Sequence, residues 1–215
     1  MTKWIDISQR LTNDMACWPG DTPFSFSLTY SKEQTGSVNI GQMTASLHTG
    51  THVDAPFHYD DNGKTIDQLD INRYIGRAVV IDVSHVEKIT ANVLQEFDLD
   101  GVKRLLLHTS LPNNPKRFPD TMPILDPDTA PYLKEKGVIL IGVDMPSVDP
   151  ADSKNIETHQ ALYKHGINIL ENIMLDHVQT GTYELIALPL SIDGADGSPV
   201  RAVIRPIKES GNLYD

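Results

Sequence analysis

The chain holds a single cysteine, Cys17, in 215 residues, so it cannot form an intrachain disulfide. That scarcity makes a reducing cytoplasm the expected location. No histidine sits beside Cys17 to activate it, and it reads as a buried or inert thiol. Basic blocks are missing as well: 18 Lys+Arg against 29 Asp+Glu leave a formal charge of −11. Nucleic acid and anionic membrane surfaces require clustered cations, so neither is an expected partner. No stretch approaches the roughly 20 apolar residues of a membrane span. The opening Met1-Thr2-Lys3-Trp4-Ile5-Asp6 has no apolar signal-peptide core. Also absent are a G-x-S-x-G nucleophile elbow, which argues against a serine hydrolase, and the H-E-x-x-H zinc-protease arrangement. No internal repeat, low-complexity tract or linker divides residues 1–215, which are expected to form one domain.

What is present reads as an alternation of strands and a few helices. The segment from Phe24 to Tyr30 alternates apolar residues with Ser and Thr, as a half-buried strand does, and Val38 to Leu47 continues in extended style. Short apolar runs at Arg77–Val83, Arg104–Thr109 and Gly137–Asp144 predict buried strands. Tyr183–Leu190 and Arg201–Pro206 predict the last two. Thr90 is placed to cap a helix over Ala91–Phe97, and Glu157–His165 predicts a second helix ending at Gly166. Strands with helices inserted between some of them indicate an α/β or α+β layer architecture.

The most concentrated chemistry lies between residues 48 and 58. His48, His52, Asp54 and His58 place three imidazoles and a carboxylate within eleven residues. A flat strand would hold His48 and His58 roughly 33 Å apart. A helix would bring His48 and His52 together but turn Asp54 and His58 to another face. Convergence requires a bend, and Gly50 and Pro56 supply residues suited to one. Imidazole and carboxylate on such a loop suit zinc or a similar borderline metal. Read alone, His159 on its predicted helix is either a surface residue or a ligand, and Glu171 is a solvated carboxylate. His85, His108, His165 and His177 lack comparable company. Asp144, Asp149, Asp193 and Asp196 sit beside Pro or Gly and read as turn formers.

The run His48-Thr49-Gly50-Thr51-His52-Val53-Asp54-Ala55-Pro56-Phe57-His58 resembles the H-x-G-T-H-x-D-x-P-x-H signature of the cyclase-like metal-dependent hydrolases. Four further segments carry the likeness along nearly the whole chain: Trp18–Pro23, Gly142–Pro150, Thr158–Leu162 with Ile169–Asn172, and Gly194–Ala202. Within the family the chain is most similar to the bacterial arylformamidases. The resemblance implies a swivelling β/β/α fold of the α/β class, two divalent metal ions per subunit, commonly zinc, and a homodimer or larger assembly. It implies that His48, His52 and Asp54 hold the first ion, that Asp54 and Glu171 bridge both, and that His159 holds the second. It further implies that His58 donates and accepts protons and that Trp18 contacts substrate. Met145, where relatives often carry threonine, implies a slightly altered pocket. The small-molecule substrate so implied is N-formyl-L-kynurenine, hydrolysed to L-kynurenine and formate in tryptophan degradation.

These residue types suit the implied reaction. Formamide hydrolysis needs an activated water, a polarised carbonyl and a proton for the leaving amine. Metal ions lower the pKa of water from about 15.7 to about 7. An imidazole with an ordinary pKa near 6.5 can move the proton, and Trp18 offers a flat face to an aryl ring. Opening of isatin or another cyclic amide, and a non-catalytic metal or small-molecule binding role, are the competing readings.

Overall fold

Residues that succeed one another along a strand point to opposite faces, so a continuous apolar run needs cover on both sides. The computed structural model describes residues 3–207 and contains such a two-faced sheet. In chain order it begins with β1 (Ile5–Asp6), then β2 (Ser25–Tyr30), the single-turn α1 (Lys32–Thr35), β3 (Ile40–Thr44) and β4 (His52–Asp54). There follow β5 (Ile75–Asp82), β6 (Lys88–Ile89), α2 (Ala91–Leu94), β7 (Arg104–His108), β8 (Ile124–Leu125), α3 (Thr129–Lys136) and β9 (Leu140–Val143). The last elements are α4 (Glu157–Lys164), β10 (Asn168–Glu171), β11 (Gly181–Ile186), β12 (Gly197–Pro199) and β13 (Val203–Pro206).

Nine strands form one sheet in the order β1-β13-β11-β5-β7-β9-β10-β4-β12. The central run β5-β7-β9-β10 is parallel, and the flanking pairs are antiparallel. The fold is mixed α/β, as the sequence implied. Leu105 and Leu107 face one core with Ile141 and Ile169, beneath Leu94 of α2, Leu133 of α3 and Leu162 of α4. Leu106 faces the other core with Val80, Leu140 and Leu170. Burying each such leucine contributes about 1.5–3 kcal/mol, and the result is a stiff platform for the polar residues at its edge.

The expected strands fall on β5, β7, β9, β11 and β13, each trimmed at its ends. α2 stops at Leu94, short of the expected Phe97, although the Thr90 hydroxyl does accept from Val93 N. One burial expectation fails. β2 is exposed along its whole length because its only strand partner, β3, is exposed too and nothing in the described chain covers either face. Its alternation is genuine, but no core receives it.

The bend inferred at residues 48–58 is real. Gly50 takes φ 63° between the turn at His48 and β4, and a 3-10 turn over Pro56–His58 follows. That second turn is closed by Gly63, whose missing Cβ would lie 2.4 Å from the Pro56 carbonyl carbon and 2.7 Å from Phe57 N. Backbone cannot yield as a side-chain tip can. Gly63→Ala is therefore expected to lower stability by about 1–3 kcal/mol through overpacking and to shift the turn that carries His58. Chemical denaturation reads the first effect, and an unchanged midpoint counts against this packing account.

Candidate metal and active site

Strand register assembles the site. β4 presents His52 and Asp54 on one face, two residues apart. Its antiparallel neighbour β10 sets Glu171 directly opposite His52, and β12 sets Gly197 opposite Asp54. The turn before β4 folds His48 back over this face, so that His48 Nδ1 lies 3.0 Å from Asp54 Oδ1. His159 arrives from the first turn of α4, with Nε2 3.4 Å from Asp54 Oδ2 and 3.7 Å from Glu171 Oε1. His52 Nε2 is 3.4 Å from Asp54 Oδ1 and 3.3 Å from Glu171 Oε2. His52, Asp54, His159 and Glu171 are all buried.

The backs of the rings are pinned. His52 donates Nδ1–H to the Gly50 carbonyl at 2.8 Å, and His159 donates Nδ1–H to Asp149 at 2.6 Å. Each Nε2 lone pair is thereby aimed at the carboxylates, the arrangement that commonly orients metal-binding imidazoles. Asp149 also accepts from the Thr158 and His159 backbone N–H groups, so one carboxylate caps α4 and holds the ring. Glu171 is steadied by Val148 N–H on Oε1.

Asp54 Oδ2 is buried and has no hydrogen-bond partner. An orphaned carboxylate oxygen is costly in an apolar interior. Donor atoms bound at about 2.1 Å to a tetrahedral ion lie about 3.4 Å from one another, and the contacts around Asp54 and Glu171 fall at 3.3–3.7 Å. These separations are long for hydrogen bonds and right for the edges of a coordination polyhedron. Two groups could hold an ion: His48, His52 and Asp54, and Asp54, His159 and Glu171. Asp54 belongs to both, and a divalent cation fits this donor set.

Charge is balanced by proton sharing. Burial favours neutral imidazole, but at His52 the Asp54 and Glu171 carboxylates override it and raise the pKa to about 10. His159, buried against Asp149 and Asp54, is likewise raised to about 10, and His48, buried beside Asp196 and Asp54, to about 9. Burial opposes ionisation of Asp54, yet hydrogen bonds from His159, His48 and His52 hold its pKa well below the usual carboxylate range. His58 moves the other way, lowered by burial and by the charge of His48, and is a neutral base at pH 7.

His58 stands at the open side, its side chain 39% exposed, with its ring 3.9 Å from that of His48. A cavity of about 340 Å³ opens over the cluster and is lined by Trp18, Phe118, His58, His159 and Glu171 among others. Trp18 meets Phe118 edge-on at 5.3 Å. All seven sequence-predicted site residues thus converge on one place. Cys17 is half-buried in the same wall, not enclosed in the core. Met145 is fully buried in the core beneath the helices and does not line the cavity, so the expected change in the pocket is not seen. His85, His108, His165 and His177 lie away from the cavity lining.

The turn-former reading fails at three aspartates. Asp149 holds His159, Asp196 contacts both His48 and His58, and Asp144 is buried on the cavity wall. Burial raises the Asp144 pKa to about 6 while the Thr109 backbone N–H and hydroxyl bind its two oxygens. Neighbouring Pro and Gly disguised all three; their places inside motif-like segments were the available signal.

In the metal-free site the raised pKa values keep His48, His52 and His159 protonated at pH 7, and a cation would take the lone pairs those protons occupy. Metal uptake at pH 7 is therefore expected to release protons, and affinity to rise as pH climbs toward 9–10. Calorimetry in buffers of different ionisation enthalpy checks this; buffer-independent heats would contradict the proton-filled site.

Comparison with known proteins agrees with this geometry. The chain is 60% identical over 206 residues to a kynurenine formamidase of Bacillus thuringiensis (strain Al Hakam), covering 96% of this chain and 99% of the relative. A solved structure of a potential metal-dependent hydrolase with cyclase activity superposes with a TM-score of 0.82 at 25% identity, over 97% of this chain and 100% of that one. Isatin hydrolase A from Labrenzia aggregata shares the fold, with a TM-score of 0.81 at 21% identity over 95% and 93% of the two chains. The family model described as "Putative cyclase" matches residues 5–150. With a matching sheet, a matching signature at the sheet edge and relatives along its whole length, the chain belongs to the cyclase family of metal-dependent hydrolases.

Proposed function

We propose that this chain is a metal-dependent arylformamidase that hydrolyses N-formyl-L-kynurenine to L-kynurenine and formate. The observation that carries the reaction class is the buried quartet of His52, Asp54, His159 and Glu171 beneath an open cavity. The substrate follows from the 60% identity to kynurenine formamidases. In this reading His48, His52 and Asp54 hold one divalent ion, His159 and Glu171 hold a second, and Asp54 and Glu171 bridge the pair. Imidazole and carboxylate donors favour zinc. Such ions supply Lewis acidity, polarising the formyl carbonyl and easing deprotonation of water.

The chain's own residues perform the remaining work. Trp18 and Phe118 offer apolar faces to the aryl ring. His58, neutral at pH 7, accepts a proton as water adds to the formyl carbon, and returns it to the aniline nitrogen as the C–N bond breaks. Its position on the cavity rim lets the imidazole reach both atoms.

The reading treats the chain as one catalytic domain in the cytoplasm, because strands from Ile5 to Pro206 share the sheet that builds the site and only one cysteine is present. It also makes the protein a homodimer. Phe26, Leu28, Tyr30, Val38, Ile40 and Met43 on the β2–β3 hairpin are 46–60% exposed, and a bare two-stranded hairpin is marginal in water. Among the described residues, no helix is long and apolar enough to cross a membrane.

The purified protein is expected to contain about two divalent ions per chain and to release formate from N-formylkynurenine but not to open isatin; the reverse substrate preference, or a metal-loaded protein inert to both, defeats the assignment. Asp54→Ala should lose metal and activity together. His58→Ala should keep its metal and lose about 10²–10⁴-fold in kcat, and a near-parental kcat removes His58 from the mechanism. Light scattering is expected to give twice the chain mass for the parent and the chain mass for Leu28→Asp with Met43→Asp; a monomeric parent refutes the dimer.

A further inference from the structure

Asp196 is the group in this site with no assigned task. It precedes β12, and its backbone carbonyl accepts from Ala55 N at 2.9 Å, which fixes it against the loop between Asp54 and His58. From there one oxygen, Oδ2, reaches two imidazoles: His48 Nε2 at 2.9 Å and His58 Nδ1 at 3.3 Å. An ionised carboxylate is an acceptor only, with room on each oxygen for two donors. Both contacted ring nitrogens therefore carry their hydrogens toward Asp196.

Each ring then has its other nitrogen defined. On His48, Nδ1 is turned to Asp54 Oδ1, where the proposed ion would sit. On His58, Nε2 is left as the proton acceptor. The two rings lie 3.9 Å apart and tilted by 33°, so a single carboxylate at their common edge restrains both. The same division of labour, a carboxylate fixing tautomer and ring angle behind a working imidazole, already exists in this protein at Asp149 and His159.

We propose that Asp196 is a positioning residue for two different functions at once, holding His48 as a metal ligand through Nδ1 and His58 as a proton carrier through Nε2. The proposal rests on the roles given to His48 and His58 above. It ties the metal site to the proton path through one oxygen atom and explains why the segment 194–197 returns to the site from the far end of the chain.

The test uses zinc-loaded enzyme and four proteins: parent, Asp196→Asn, His58→Ala and the double variant, with kcat and KM for N-formylkynurenine at saturating zinc and zinc affinity by competition with a chromogenic chelator. Asp196→Asn is isosteric but cannot accept from both rings through the same charged oxygen. It is expected to lower kcat about 10–100-fold and weaken zinc binding by a similar factor, with KM changed less than about threefold. In the His58→Ala background the kcat loss from Asp196→Asn should shrink to less than about threefold, whereas the zinc effect should persist because it runs through His48. Asp196→Ser, at a side chain 38% exposed, must reproduce the pattern. Parental kcat and zinc affinity in Asp196→Asn would overturn the proposal, as would a full, independent kcat loss in the double variant. A parental kcat in His58→Ala is a different result: it removes His58 from the reaction, and with it the proton-carrier half of this inference.

Discussion

The pairing of β4 with β10 is the constraint on which everything else depends. Because Glu171 lies across from His52, a residue on one strand and a residue more than a hundred positions later are held side by side by backbone hydrogen bonds. Asp54 joins them because side chains two apart on a strand share a face. A one-residue slip in this register would send Glu171 to the opposite face and leave His52 and Asp54 without their partner. The apolar residues interleaved with them, Val53 and Leu170, are fully buried in the other direction, so the core itself forbids the slip.

That platform carries a concentration of buried charge that no folding requirement explains. Two carboxylates and two imidazoles are nearly removed from water, and one carboxylate oxygen has no hydrogen-bond partner. Desolvation opposes each charge, and only the mutual attraction of opposite charges keeps them ionised. Protons fill the role in the metal-free protein, as the raised imidazole pKa values indicate. The spacing suits cations better than it suits hydrogen bonds. Local stability is thus subordinate here to a site whose charge is completed from outside, and the two leucine-rich cores on either side hold it in place.

Orientation comes from a second layer of groups. Gly50 and Asp149 fix the two buried rings from behind, Val148 steadies Glu171, and Asp196 spans His48 and His58. This layer is drawn from loops, whereas the buried carboxylates themselves sit on strands. The difference is physical: strands give a fixed spacing of side chains, and loops can turn a carboxylate or a carbonyl to wherever a ring nitrogen needs an acceptor.

Much of this was legible in the sequence. The ligand types, the bend around Gly50 and Pro56, and the positions of the buried strands follow from residue chemistry and from periodicity, which are local properties. The motif resemblance extended the reading to His159 and Glu171, which are unremarkable when taken singly. Other features could not be read locally. Asp149 and Asp196 look like turn residues until the fold brings an imidazole to each, and β2 has the alternation of a half-buried strand although no core lies against it. The sequence by itself determined which groups are available and where the chain can bend or extend. Only the tertiary structure decided which of them meet, because contact between residues far apart in the chain is set by sheet register and by what the core can bury, and neither quantity is a property of any short stretch.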